Sequence, residues 1–129
     1  VLCRMKNDIM DVVDACIDGT LDQVELEFED NAAVCVVLAS DGYPISYQKG
    51  FEIQGLENFE GKEDYYCFHA GSKFDEQGRV VTNGGRVLGV TAKGATLKEA
   101  RTKAYEATEW VNFDNKYMRH DIGKAIDEI

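Results

Sequence analysis

The sequence predicts a single α+β unit, a short antiparallel β meander packed with helices. Three observations lead there. Apolar residues recur at helix spacing near both ends, strand-like runs separated by tight turns lie between them, and no repeat, low-complexity segment or long linker interrupts the chain. At 129 residues, with 44% hydrophobic and 29% charged content, the chain fits one domain with its own core.

Leu2, Met5, Ile9, Val12, Val13 and Cys16 keep helical spacing, which predicts a first helix running to about Ile17 and stopped by Asp18-Gly19. No capping residue precedes Leu2, so this helix reads as one entered part-way. Val24, Leu26 and Phe28 alternate with Glu25, Glu27 and Glu29, the pattern of a half-buried strand with a solvated carboxylate face. A turn at Glu29-Asp30-Asn31 leads into the valine-rich run Ala33 to Ala39, expected as a central strand covered on both faces and paired with its predecessor in a hairpin.

Ser40 to Gly50 holds the only proline and fits neither period, so it is expected as a structured loop, and residues 54–64 as a surface connection. Tyr65 to Phe74 then predicts a strand, Asp75 to Gly78 a turn, and Arg79 to Thr82 the return. Asn83-Gly84-Gly85 makes a second turn into a strand over Arg86 to Thr91. Thr96-Leu97-Lys98-Glu99 is a capping box opening a helix of about four turns, with Leu97, Ala100, Ala104, Ala107 and Val111 on its apolar face and an end near Asn112. A short terminal helix follows the polar stretch Arg119-His120-Asp121.

Composition narrows the function. A formal net charge of -10 repels a polyphosphate backbone, which argues against nucleic acid while leaving room for a small phosphorylated ligand in a local positive pocket. The longest apolar run, around Ala32 to Ala39, falls far short of the roughly 20 residues that span a bilayer, and no basic start followed by an apolar stretch opens the chain. No membrane partner is therefore expected. Cys3, Cys16, Cys35 and Cys67 form no metal-ligand spacing and read as reduced core residues of a cytoplasmic protein.

Catalytic constellations are sparse. His69 and His120 are the only imidazoles, neither at metal spacing from another ligand, and both read as structural. The best local signal is Thr82-Asn83-Gly84-Gly85-Arg86. Adjacent glycines let backbone N–H groups approach an anion and the arginine can grip it, but the same residues also suit a plain tight turn with glycine at positive φ and Arg86 in solvent. The loop from Gly42 to Gly50, with its hydroxyls and Lys49, is the second candidate. Convergence of Lys49 with Arg86 would make a basic patch in an acidic protein.

Five blocks in order carry a resemblance: Val34 to Ser40, Gly42-Tyr43-Pro44 with Tyr47 and Lys49-Gly50, Phe68 to Gly71, Thr82 to Ala92, and Tyr117, Arg119 and Asp121-Ile122-Gly123. Together they are similar to the C-terminal domain of the glycinamide ribonucleotide synthetases, the phosphoribosylamine-glycine ligases. The opening residues Val1 to Lys6 resemble the segment that follows the metal ligands of that family's ATP-grasp core. The resemblance implies that residues 1–18 are the terminal helix of an ATP-grasp domain and residues 19–129 a C-terminal α+β domain forming one wall of the cleft. It also implies a cytoplasmic parent enzyme of purine synthesis that joins glycine to phosphoribosylamine with ATP and Mg or Mn. The nucleotide and metal would be held by the rest of the chain, leaving this segment inactive alone, with no catalytic, cofactor or metal residue of its own. By the same resemblance, Lys49 and Arg86 with Gly84 and Gly85 would hold the phosphate of phosphoribosylamine.

Three positions depart from the family pattern: Cys3 for proline, Ile45 for glycine and His120 for lysine. A β-branched residue resists positive φ, so Ile45 puts the backbone of its loop in question. Two other readings stand beside the ligase. One is a freestanding, non-catalytic binding module whose glycine turn is only a hairpin, and the other is the C-terminal domain of a different ATP-grasp carboxylase or ligase, against which the Gly42-Tyr43-Pro44 and Asn83 to Arg86 blocks argue.

Overall fold

The structure, a computed structural model, describes residues 1–128. In chain order its elements are α1 (Ile9–Asp18), β1 (Ala32–Ser40), β2 (Tyr65–His69), β3 (Ser72–Phe74), β4 (Val80–Thr82), β5 (Arg86–Gly94), α2 (Leu97–Thr108) and β6 (Lys116–Tyr117), joined by short 3-10 turns. An antiparallel sheet runs β2-β5-β1-β6, and β3 and β4 form a separate two-stranded ribbon. The α+β class is as the sequence predicts. The strand order is not that of a sequential meander, because β5 returns between β1 and β2.

The long β1–β5 ladder fixes the sheet. It keeps register from Ala32 opposite Gly94 to Leu38 opposite Leu88, then slips so that Ala39 faces Arg86. Such an irregularity bends a strand and re-aims its side chains. Here it falls at the start of β5, where Arg86 leaves the glycine turn.

Helix α2 covers one face of the sheet. The Thr96 hydroxyl accepts from the Glu99 N–H at 3.1 Å, the cap half of the predicted box, while the Glu99 carboxylate reaches one residue further back and accepts from the Ala95 N–H at 3.1 Å. Ala100, Ala104 and Ala107 are fully buried, and these small side chains let the helix lie close to the strands. At Gly94 the approach is tight enough that a Cβ would stand 2.7 Å from the Ala100 nitrogen. Leu38, Val87, Leu88, Val90 and Val111 complete a core sealed by Trp110, whose ring meets Phe59 and Tyr65 at 5.4 and 4.8 Å.

Several expectations are corrected. The first helix does not run from Leu2. Residues Leu2–Arg4 form a 3-10 turn, and α1 begins at Ile9 with a true cap, the Asp8 carboxylate accepting from the Met10 N–H. Despite the helical spacing through Met5, Arg4 to Lys6 lie extended beside Glu27 to Glu29. There the Lys6 N–H donates to Glu27 O, the Glu29 N–H donates to Arg4 O, and Met5 bridges Phe28. The segment Val24 to Phe28 is consequently no partner of β1, and Leu26 and Phe28 stay exposed.

Strand β1 is central, but only one of its faces is covered. Val34, Val36 and Leu38 are buried whereas Cys35 and Val37 are exposed. The expected strand from Tyr65 to Phe74 breaks at Ala70-Gly71 into β2 and β3, which belong to different sheets. Of the cysteines, expected in the core, only Cys67 packs against it; Cys16 and Cys35 are exposed and Cys3 is half-buried, and all four thiols are free. Burial pushes the Cys67 thiol up to about 11.

Candidate functional site

The segment from Thr82 to Arg86 is the junction between the β3–β4 ribbon and the main sheet, since β4 and β5 do not pair. The reading of this segment as a plain hairpin turn therefore fails. Neither Gly84 nor Gly85 takes a positive φ, so glycine is not needed there for its backbone angles. Close approach requires it. A Cβ on Gly85 would collide with the Tyr43 ring, and one on Gly71 would meet the Arg86 carbonyl and stand 2.9 Å from the Gly84 Cα.

Hydrogen bonds from distant segments hold this junction. Ser40, fully buried at the end of β1, donates its N–H to Gly85 O at 2.7 Å and its hydroxyl to Gly84 O at 2.8 Å. Asn83 N–H donates to Gly71 O at 2.8 Å, while Thr82 exchanges backbone bonds with Gly50 and Phe51. Both glycine carbonyls are thereby engaged, whereas the Gly84 and Gly85 N–H groups have no acceptor among the described residues. Unpaired backbone amides at a glycine pair are the donor set an anion needs.

Arg86 adds the charge. Of the five arginines, Arg4 donates to Asn31 and to the Glu29 carbonyl, Arg79 pairs with Asp75, Arg101 donates to the Ile122 and His120 carbonyls, and Arg119 pairs with Asp121. Arg86 alone has no side-chain partner among the described residues, and it lines a cavity of about 500 Å³ with Tyr43, Phe68, His69, Gly84 and Gly85. A second basic cavity, lined by Arg101, Lys116, Arg119 and Lys124, differs in that Arg101, Lys116 and Arg119 are all engaged. Lys116 Nζ donates to the Thr108 and Val111 carbonyls, capping the end of α2.

Lys49 does not line the Arg86 cavity. Its ammonium lies 5.8 Å from the Tyr47 ring centroid, Tyr47 meets Tyr43 edge-on at 5.9 Å, and Tyr43 covers Gly85. The two loops converge through this aromatic relay and the Gly50–Thr82 bond, and the cations do not meet directly. Positive φ within the loop falls on Gly42 and Gly50, and Ile45 is 94% exposed, so a β-branched residue there meets no backbone obstacle. His120 stacks on Tyr105 at 6.4 Å, away from the cavity.

Sequence reasoning singled out Arg86, Gly84 and Gly85 but missed the supports at Ser40 and Gly71, and it assigned His69 only a structural place. Ser40 lies 44 residues from Gly84, and no local pattern marks such a contact.

A family model described as phosphoribosylglycinamide synthetase, C domain, matches residues 33–125. Curated relatives named phosphoribosylamine–glycine ligase include proteins of Caldanaerobacter subterraneus subsp. tengcongensis, 44% identical over 95% of this chain, and Halalkalibacterium halodurans, 46% identical over 99%. The chloroplastic enzyme of Arabidopsis thaliana is 45% identical over 95% of the chain. A crystal structure of phosphoribosylamine–glycine ligase from Thermotoga maritima superposes with a TM-score of 0.67 at 42% identity, over 85% of this chain and 27% of that one. The chain spans only 28%, 29% and 23% of the lengths of those three relatives, in the order given.

Proposed function

The chain belongs to the phosphoribosylglycinamide synthetase C-domain family, and on that premise we propose that it forms one wall of the site where an ATP-grasp ligase joins glycine to 5-phosphoribosylamine. In this reading the glycine carboxylate is phosphorylated at the expense of ATP. The amine of phosphoribosylamine then displaces the phosphate to form the amide, a step of purine synthesis.

Residues 19–129 serve as the C-terminal domain, and residues 1–18 belong with the neighbouring ATP-grasp domain. The exposed apolar side chains of α1, Ile9, Met10, Val13 and Ile17, support that division, because only Ala15 of this helix is buried. No group of three or more His, Cys, Asp or Glu among the described residues is placed to hold a metal ion. We assign ATP and Mg or Mn to the remainder of the parent. No helix among the described residues is long and apolar enough to cross a membrane. A cytoplasmic site is supported by the exposed free thiols of Cys16 and Cys35, which suit a reducing compartment.

The contribution of this chain is to hold the sugar phosphate. The observation that carries it is Arg86, unpaired among the described residues and beside the unpaired amides of Gly84 and Gly85 in one cavity. Lys49, one aromatic layer away, adds positive potential without reaching the cavity wall. A charge-assisted hydrogen bond contributes about 1.5 to 3 kcal/mol, so Arg86→Ala in the full-length enzyme should raise the KM for phosphoribosylamine by about ten- to a hundredfold. The KM values for glycine and ATP should stay within about twofold, since the lost bond is to neither. Unchanged phosphoribosylamine kinetics would overturn the assignment. ADP release that depends on bicarbonate instead of glycine would overturn the ligase reading itself.

A further inference from the structure

We infer that His69 is a second ligand-binding side chain of the Arg86 cavity, with Ser72 as its positioning residue. This rests on the sugar-phosphate reading above. His69 ends β2 and lines the same cavity as Arg86, Gly84 and Gly85. Its backbone is tied to the anion-binding junction on both sides. Opposite it in the sheet stands Leu88 of β5, and the next two N–H groups, of Ala70 and Gly71, both donate to Val87 O at 3.0 and 3.1 Å. Gly71 O in turn accepts from Asn83 N–H, and Gly71 packs on Gly84 too closely to admit a side chain. A shift of the glycine junction relative to His69 would have to break these contacts.

The ring is fixed as well. His69 Nδ1 lies 2.6 Å from Ser72 Oγ, and Ser72 faces Thr82 in the β3–β4 ribbon, so the residue that steadies the imidazole is paired with the residue that opens the anion cradle. A hydrogen bond at one ring nitrogen sets the tautomer and direction of the other. Among the described residues Nε2 has no partner, and His69 is exposed at the cavity wall. The ligand class that fits is a phosphorylated sugar, with its phosphate on Arg86 and the glycine amides and a further sugar or phosphate oxygen on His69 Nε2.

The test uses the full-length enzyme carrying His69→Ala, His69→Gln, Ser72→Ala or Arg86→Ala, with ribose 5-phosphate as a stable competing probe. A neutral hydrogen bond contributes modestly, so His69→Ala should raise both the KM for phosphoribosylamine and the Ki of ribose 5-phosphate by about three- to tenfold. The KM for glycine and kcat should stay within about twofold, a split that loss of fold would not produce. Ser72→Ala should move the same two constants in the same direction by a smaller factor, and His69→Gln should recover part of the loss. If Arg86→Ala weakens both sugar phosphates while His69→Ala and His69→Gln leave them unchanged, the inference is wrong and the phosphate reading stands. If neither Arg86→Ala nor the His69 variants have any effect, both fall. A loss confined to kcat or thermal stability in the His69 variants would also overturn the inference.

Discussion

Ser40 shows how one side chain can shape a site it does not touch. It is completely buried, and its hydroxyl satisfies the Gly84 carbonyl while its N–H satisfies that of Gly85. Ser40→Ala removes one donor and leaves a partly buried acceptor unmet, at a cost of about 1 to 3 kcal/mol. Denaturant unfolding of the variant should show that loss, and the full-length enzyme should bind ribose 5-phosphate more weakly because one of the two Ser40 bonds that hold the glycine junction is gone. Unchanged stability would mean that the hydroxyl bond is replaced by solvent. At this scale the sequence disclosed those residues whose chemistry is consecutive. Gly84-Gly85-Arg86 can be read as an anion cradle because amide donors and guanidinium stand side by side, whereas Ser40, Tyr43 and His69 reach the cradle only through tertiary contact.

At the scale of elements, the arm formed by Arg4 to Lys6 and Glu27 to Glu29 is joined to the sheet by an ion pair. Lys93 of β5 has a side chain only 9% exposed, and its Nζ lies 3.0 Å from the Glu29 carboxylate, which also accepts from Asn31. The hydrogen bond from Lys93 lowers the Glu29 pKa below its ordinary 4.5, and the Glu29 bond raises that of Lys93 above 10.5. A depressed carboxylate stabilises the fold above its unfolded value and loses that contribution as pH falls through the folded one. A raised lysine loses its share only at the alkaline end. Glu29→Gln should therefore lower stability at neutral pH, and below pH 4.5 its stability should fall less steeply with acid than that of the parent chain. Parallel acid limbs in pH-dependent unfolding would count against the pair. The sequence could not show this arm, because Val24 to Phe28 alternates as a strand does while its actual neighbour is a chain segment that mimics helix periodicity. By contrast α2 was legible, since its capping box and alanine stripe are local signals that the packing against β5 reinforces.

Across the whole molecule the proposed division of labour rests on which side of the sheet is covered. Leu38, Leu88, Val90, Ala104 and Val111 are sealed beneath α2, a core built entirely within this chain, while Val37 and Phe68 stay exposed on the other side and border the Arg86 cavity. A self-contained core is the condition for independent folding, and a cavity with one anion cradle is not a condition for ligation. Ligation also needs the carboxylate of glycine, its activating phosphate and the amine to be held together, and this cavity offers one unpaired arginine in a chain of net charge -10. The isolated chain is therefore expected to unfold in one cooperative transition and to release no ADP when supplied with ATP, Mg, glycine and phosphoribosylamine. Ribose 5-phosphate should nevertheless perturb the amide resonances of Gly84, Gly85 and His69 in its NMR spectrum, and Arg86→Ala should abolish those shifts. Turnover by the isolated chain would place the chemistry within these residues, and shifts elsewhere that survive Arg86→Ala would remove the phosphate from the glycine junction.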